Sequence, residues 1–243
     1  VMVFSSNVFL LYFLPIFLAV YFITPRKFRN YTLLLASFIF YAYGAPEFVV
    51  QLILSNVANF YLVKYMFKTE KAITKKILCG ISIAISIGLL FYYKYGNFTM
   101  LNFNAILSIF NQEPIEWIKI VLPIGISFFS FQSVTYTLDT YRGINEPMER
   151  LTDYMLYITM FPQLVAGPII RYCDIADQIR ERESLMTDRL HGFYRFVLGL
   201  AKKILIADVI GYQVDKILGP SNYDVLSAAQ LQDIADKITN LDS

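Results

Sequence analysis

Three features of these 243 residues together imply an all-α fold: a polytopic transmembrane helical protein with re-entrant and interfacial helices. Hydrophobic residues make up 56% of the chain, charged residues only 16%, and the mean hydropathy is +0.50. Soluble domains carry about 25% charged residues, so a soluble enzyme is excluded first. The apolar residues are also gathered into runs approaching the roughly 20 residues that cross a bilayer core. The aromatic content is 21 Phe and 18 Tyr against one Trp, and amphipathic Tyr rings suit the membrane–water boundary. High hydrophobicity, a net charge of +2 and two cysteines exclude disorder, a basic nucleic-acid-binding surface and a disulfide scaffold. Cys79 and Cys173 are expected as unpaired thiols.

Five runs are long and apolar enough to be crossings. Residues 8–23 are interrupted only by Pro15, and residues 31–45 and 48–63 contain no charge. Residues 77–93 and 121–138 are the cleanest spans. The first run is expected to remain as a helix and not to be a cleaved leader, because Pro25, Arg26 and Lys27 follow it where a small-residue cleavage site would stand. Basic residues of short loops mark the cytoplasmic side. Arg26, Lys27 and Arg29 follow the first run, and Lys64, Lys68, Lys71, Lys75 and Lys76 follow the third. Both loops are therefore expected inside, with the N-terminus, the Gly44–Glu47 turn and the stretch from Asn97 to Glu116 outside.

Residues 151–170 break this alternation. Arg142 and Arg150 precede the run and Arg171, Arg180, Arg182 and Arg189 follow it, so both flanks belong on the cytoplasmic side. Pro162, Gly167 and Pro168 interrupt any helix there, and membranes tolerate exposed backbone only where protein or a wet cavity covers it. A re-entrant or in-plane element is expected, a kinked crossing being the alternative. Residues 171–189 read as a solvated, charge-dense loop. In residues 190–208 the apolar stretch 196–201 is too short to span, while His191, Arg195 and Lys202 share one helical face. This predicts a basic amphipathic helix at the inner interface. From Pro220 the chain turns polar.

The candidate functional residues begin with a stripe on the fifth run. Gln132, Tyr136 and Asp139 recur at i, i+4 and i+7 with Thr135 beside them, and polar groups are costly against lipid. The stripe faces either other helices, through hydrogen bonds, or a hydrated substrate tunnel, and Val134 is expected on the opposite, lipid-facing side. Asp139 and Arg142, three residues apart, are placed to pair. No glycine-rich phosphate loop, CxxC pair or HExxH string occurs, so no metal site is expected. The single histidine, His191, reads as a boundary side chain of its basic helix, not as a general base.

Longer strings carry more information than composition. They are Met2-Val-Phe-Ser-Ser, Leu33-Leu-Leu-Ala-Ser-Phe-Ile-Phe-Tyr-Ala-Tyr-Gly, Leu122-Pro-Ile-Gly-Ile-Ser-Phe-Phe-Ser-Phe-Gln, Asp139-Thr-Tyr-Arg-Gly, Phe161-Pro-Gln-Leu-Val-Ala-Gly-Pro-Ile-Ile-Arg and Gly199-Leu-Ala-Lys-Lys-Ile-Leu-Ile-Ala-Asp. In this order they resemble the membrane-bound O-acyltransferases, in the bacterial branch of alginate O-acetylation and teichoic-acid D-alanyl transfer. The resemblance implies a bacterial cytoplasmic-membrane enzyme that takes an acyl group from a cytoplasmic acyl-CoA or acyl-carrier donor. It delivers that group through a membrane funnel to a cell-envelope polysaccharide hydroxyl or an acyl-accepting partner protein, with no nucleic acid involved.

On the family pattern Gln132, Asp139, Arg142, Gln163, Gly167, Pro168 and Arg171 fall in the core and funnel. The family's catalytic histidine, and a second one preceded by Trp-Arg-Arg-Trp, belong to its C-terminal half, and neither string occurs in these residues. Residues 1–230 are accordingly expected to be the N-terminal part of such a domain, inactive alone, with 231–243 a polar tail departing from the pattern. A non-enzymatic transport or scaffold protein of the same architecture is the alternative.

Overall fold

The computed structural model describes residues 4–164, 167, 170–180 and 186–218, and every described element is helix, turn or extended connection. Pro168 and the tail 231–243 lie outside the described residues. The chain divides into two compact units, Val1–Arg182 and Glu183–Ser243.

In the first unit a π-helical turn, Phe9–Phe13, leads into α1 (Leu14–Ile23). Then come α2 (Arg29–Gly44), α3 (Val49–Lys68), α4 (Ala72–Ile109), α5 (Ile126–Tyr141), α6 (Leu151–Thr159), α7 (Phe161–Leu164) and α8 (Tyr172–Arg180). Two helical stretches, Pro46–Lys68 and Ala72–Ile109, are long and apolar enough to cross a membrane, and Phe9–Ile23 is a shorter apolar one. At 38 residues α4 is roughly 57 Å long, well beyond a hydrocarbon core of about 30 Å. Its distal half carries a strap: Asn104 exchanges two hydrogen bonds with the backbone of Ile115, and Asn97 does the same with Ile120.

The breaks follow local chemistry. α2 stops at Gly44, where Ala45 still donates to the Tyr41 carbonyl at 2.8 Å and Pro46 opens a new turn. The expected span 121–138 becomes helical only at Ile126, because Pro123 and Gly125 interrupt it. Gly125 has φ +76°, and a Cβ there would sit 2.4 Å from the Leu164 carbonyl oxygen. At the other end Gly143, φ +71°, closes α5 as its N–H reaches the Thr140 carbonyl and the Ile144 N–H reaches that of Asp139. These two bonds are a Schellman cap.

α5 is the central helix, packed by α3, α4, α6 and α8. A separate aromatic stack joins Phe9, Phe13 and Phe17, at i, i+4 and i+8, to Phe40 of α2 and Phe161 of α7, with centroids 5.1–6.2 Å apart. Polarity is reversed relative to a soluble protein. Ser37, Asn56, Asn59, Ser82, Ser86, Gln132, Thr137 and Asp139 are buried, while Leu35, Ile39, Leu54, Ile81 and Phe91 are exposed.

Two expectations need correction in this region. Residues 171–189 are not one solvated loop: Tyr172–Arg180 is helical and Ile179 is buried, its carbonyl taking a hydrogen bond from Asn30 at 2.8 Å. Val134 is half-buried, because α5 is packed by four helices, and the exposed residues of that helix are Phe131 and, at its end, Tyr141.

The second unit contains α9 (Met186–Lys202), a π-helical turn Lys203–Ala207 and α10 (Asp208–Leu218). Helix therefore extends on both sides of the expected 190–208. Lys203 binds both carboxylate oxygens of Asp208 at 2.8 and 2.9 Å across the turn. His191, Arg195 and Lys202 are exposed on one face, with Leu190, Phe193, Tyr194 and Val197 on the other.

Candidate functional site

The predicted stripe exists and is buried: Gln132, Tyr136 and Asp139 are 1%, 0% and 2% exposed. A helix advances 100° per residue, so these three point the same way, toward α6 and α8. The Tyr136 ring lies 4.9 Å from Tyr154, 6.2 Å from Tyr157 and 5.2 Å from Tyr172, and its hydroxyl accepts the Met148 N–H at 2.8 Å. Four tyrosines thus form one cluster in which Tyr157 and Tyr172 also touch, at 5.8 Å. The Tyr157 hydroxyl donates to the Ile170 carbonyl, tying α6 to the segment that precedes α8.

Asp139 does not pair with Arg142. Its Oδ1 accepts a 2.7 Å hydrogen bond from the Arg171 guanidinium, while Arg142 sits exposed at the end of α5. The reason is geometric: the last turn of α5 swings Arg142 outward just before Gly143 reverses the chain, whereas the start of α8 brings Arg171 onto the covered face. The Asp139 hydrogen bond, and then its negative charge, raise the Arg171 guanidinium above its already high ordinary value. Asp139 is buried and Arg171 half-exposed, so the pair stands at one end of the stripe, between interior and surface.

Gln163 and Gly167, placed here by resemblance alone, also come together. The Gly167 N–H donates to the Gln163 carbonyl at 3.2 Å, and a Cβ on Gly167 would come within 2.7 Å of the Gln163 Cα. The Gln163 Nε2 reaches the Tyr157 carbonyl at 3.4 Å. Pro168 falls among the residues that are not described.

Several polar atoms in this region are buried without any hydrogen-bond partner. They are both ends of the Gln132 amide, Asp139 Oδ2, Thr140 Oγ1 and Gln163 Oε1. Unmatched buried atoms also lie elsewhere, at the Tyr41 hydroxyl, Asn56 Nδ2, Ser130 Oγ and Asn145 Nδ2, so they are not confined to this face.

A second polar set was not anticipated from the sequence. Thr137 of α5 lies 3.0 Å from Ser82 of α4, Ser82 donates to Asn59 of α3 at 2.9 Å, and Asn59 donates to Ser86 at 3.0 Å. Tyr154 of α6 donates to Ser133 of α5 at 3.3 Å. The signal was the i, i+4 spacing of Ser82 and Ser86 inside an otherwise apolar run. Every member has a partner, which suits a helix fastener. Among the described residues no group of three or more His, Cys, Asp or Glu is placed to hold a metal ion. An apolar groove of about 730 Å³ between α3 and α4, lined by Val50, Leu54, Ala84, Ile85, Gly88 and Leu89 among others, contains none of the stripe residues.

No family model matches the chain, and no solved structure matches it. Curated relatives do. The chain is 37% identical over 224 residues to a protein of Pseudomonas putida described as a probable alginate O-acetylase, covering 91% of this chain and 46% of that protein. It is 38% identical to the protein of the same description from Pseudomonas syringae, covering 91% and 43%. A peptidoglycan O-acetyltransferase of Helicobacter pylori is 28% identical, with 88% and 46% covered. The chain thus spans a little under half the length of these relatives. Identity at this level along nine-tenths of the chain exceeds what shared hydrophobicity produces, and the chain belongs to the membrane-bound O-acyltransferase family, in the branch of the alginate O-acetylases.

Proposed function

We propose that this chain is part of a bacterial membrane O-acyltransferase that moves an acetyl or similar acyl group onto a hydroxyl of a cell-surface polysaccharide. The observation that carries the reading is its 37% and 38% identity to proteins described as alginate O-acetylases. The donor is a cytoplasmic acyl-CoA or acyl carrier, and the acceptor is reached directly or through an acyl-accepting partner protein of the envelope. Residues 1–230 form part of the membrane domain, in the cytoplasmic membrane.

The reversed polarity of the first unit supports the membrane setting, since exposed Leu, Ile and Phe over buried Asn, Ser and Gln is the arrangement a hydrocarbon solvent favours. In this reading five segments cross with the N-terminus outside. Helices α6 and α7 form a re-entrant element, and α9 lies at the inner interface with its basic face toward the headgroups. The stripe of Gln132, Tyr136 and Asp139, with Gln163, Gly167 and Arg171, walls the path of the acyl group or its acceptor.

The test uses envelope preparations of the native cell, holding the full-length protein with its envelope partner proteins, acetyl-CoA labelled in its acetyl group, and deacetylated alginate. Label is expected in the polymer as a base-labile ester. Label found only as free acetate, or none released at all, would sink the reading.

A further inference from the structure

The groove between α3 and α4 grades from polar to apolar along its length. Glu47, which is exposed, and Gln51 stand at one end, and beyond them the walls are Val50, Leu54, Ala84, Ile85, Gly88 and Leu89. Ser55, at the far end, gives its hydroxyl to the Leu52 carbonyl of its own helix, so no polar partner is needed there. Ala84 and Gly88, one turn apart, keep the groove open, and a Cβ on Gly88 would meet nothing within 4 Å. The register of α4 fixes its depth. Lys76 and Lys94 bracket the uncharged residues 77–93, which rise about 25 Å, close to the thickness of a hydrocarbon core. The Tyr93 hydroxyl donates to Gln51 Oε1, and its ring meets Phe48 edge-on at 5.6 Å, so Gln51 lies at the boundary that Lys94 marks. Tyr92 meets Trp117 at the same level, a pairing suited to the headgroup layer. From Glu47 to Ser55 the helix rises about 12 Å, so the groove ends near the middle of the bilayer. A transmembrane helix would use the full depth, whereas one lipid leaflet ends there.

Resting on the membrane topology above, though not on acetyl transfer, we propose that this groove binds an outer-leaflet phospholipid with a primary-amine headgroup, namely phosphatidylethanolamine. The order of groups in the lipid matches the order along the groove. The Glu47 carboxylate takes the ammonium. Gln51, with Oε1 engaged by Tyr93, donates from Nε2 to an ester carbonyl one turn deeper. One acyl chain then lies along Val50, Leu54, Ile85 and Leu89. Glu47 makes no ion pair with the described residues, so no basic side chain competes for it. Charge makes the choice among lipids: a carboxylate at the mouth disfavours a headgroup of net negative charge. A primary ammonium also brings N–H donors directly to the carboxylate, which the methyl groups of choline prevent.

The full-length protein is placed in vesicles of phosphatidylethanolamine and phosphatidylglycerol. It is photolabelled with either lipid carrying a diazirine midway along one acyl chain, and the labelled residues are mapped. Phosphatidylethanolamine is expected to label the groove walls, at Leu54, Ile85 or Leu89, about fivefold more than phosphatidylglycerol does. Glu47→Gln, an exposed change that leaves the packing alone, is expected to bring the two lipids to parity. Gly88→Leu, whose side chain enters the open groove, is expected to abolish labelling there. Equal labelling by both lipids in the wild type overturns the proposal, as does a preference that survives Glu47→Gln. Wild-type label absent from the groove overturns it too, because a helix of a second copy or of the rest of the protein then fills the space. A Glu47→Cys variant that an impermeant thiol reagent reaches only after the cells are permeabilised fails the topology itself. Glu47 outside, with no headgroup preference, fails this inference alone.

Discussion

Asp139 and Arg171 illustrate how burial sets the cost of breaking a pair. Their side chains are 3% and 49% exposed, so removing either one leaves a very different remnant. Arg171→Met strands a carboxylate in the interior, while Asp139→Asn frees a guanidinium that already reaches water and keeps an acceptor facing it. Thermal midpoints of the purified protein are expected to fall further for Arg171→Met than for Asp139→Asn, with the double variant recovering part of the Arg171→Met loss. The reverse order would mean that Asp139 is not enclosed as described. The two left-handed glycines give a second contrast. Gly125→Ala and Gly143→Ala both incur a backbone penalty of roughly 1–2 kcal/mol. Only at Gly125 does the new Cβ also meet backbone, 2.4 Å from the Leu164 oxygen, whereas at Gly143 nothing lies within 4 Å. Gly125→Ala should be the more destabilising by a clear margin in denaturant or heat, and equal losses would contradict the close approach of α7 to the start of α5.

Among the helices, α5 holds the most central position, packed by α3, α4, α6 and α8. Thr137, Ser133 and Asp139 are matched by neighbours on two sides, Ser82 and Asn59 through α4 and α3, and Tyr154 and Arg171 through α6 and the residue before α8. Interhelical hydrogen bonds in membranes average about 0.6 kcal/mol and reach about 1.7. Asn59→Leu removes two of them and leaves Ser82 and Ser86 without the amide, so a loss of about 1–3 kcal/mol is expected. Ser55→Ala, whose hydroxyl only returns to the Leu52 carbonyl of its own helix, should be nearly silent. The alternation of runs and breaks was legible because Pro and Gly act locally: Pro25, Pro46, Pro123 and Gly125 end or delay helices wherever they fall. Helix α8 was not legible, because its charges, Asp174 and Asp177 with Arg171 and Arg180, look solvated until Tyr172 and Ile179 are seen buried.

At the scale of the molecule, the loop-charge bias makes a prediction about sidedness that does not depend on catalysis. A cysteine introduced at Lys71, between α3 and α4, is expected to resist an impermeant thiol reagent in intact cells, while one at Asn111, beyond the end of α4, should react. Labelling at position 71 from outside would invert the proposed topology. The 243 residues expressed alone are expected to show no acetyl transfer above background. Transfer to a hydroxyl draws on a group that accepts a proton near neutral pH, worth about 10²–10⁴-fold. The chain's single imidazole, His191, lies exposed on a helix face with Arg195 and Lys202. Robust transfer by this chain that disappears in His191→Ala would reverse that conclusion.

The sequence by itself determined the all-α class, the order of the first helices, the buried stripe and the family, because each of these rests on local or one-dimensional information: hydropathy, helical period, breaker residues and strings in order. Tertiary structure alone decided which groups meet. Asp139 has two arginines in reach of its motif, Arg142 three residues on and Arg171 thirty-two residues on, and only the return of the chain through α6 and α7 selects the second. Likewise the tyrosine cluster joins Tyr136, Tyr154, Tyr157 and Tyr172 from α5, α6 and α8, and the Asn59–Ser82–Ser86–Thr137 network joins α5 to α3 and α4. Side-chain type states what bond a residue can make; in a nonpolar interior, where every unmatched group is costly, the packing of helices decides with whom.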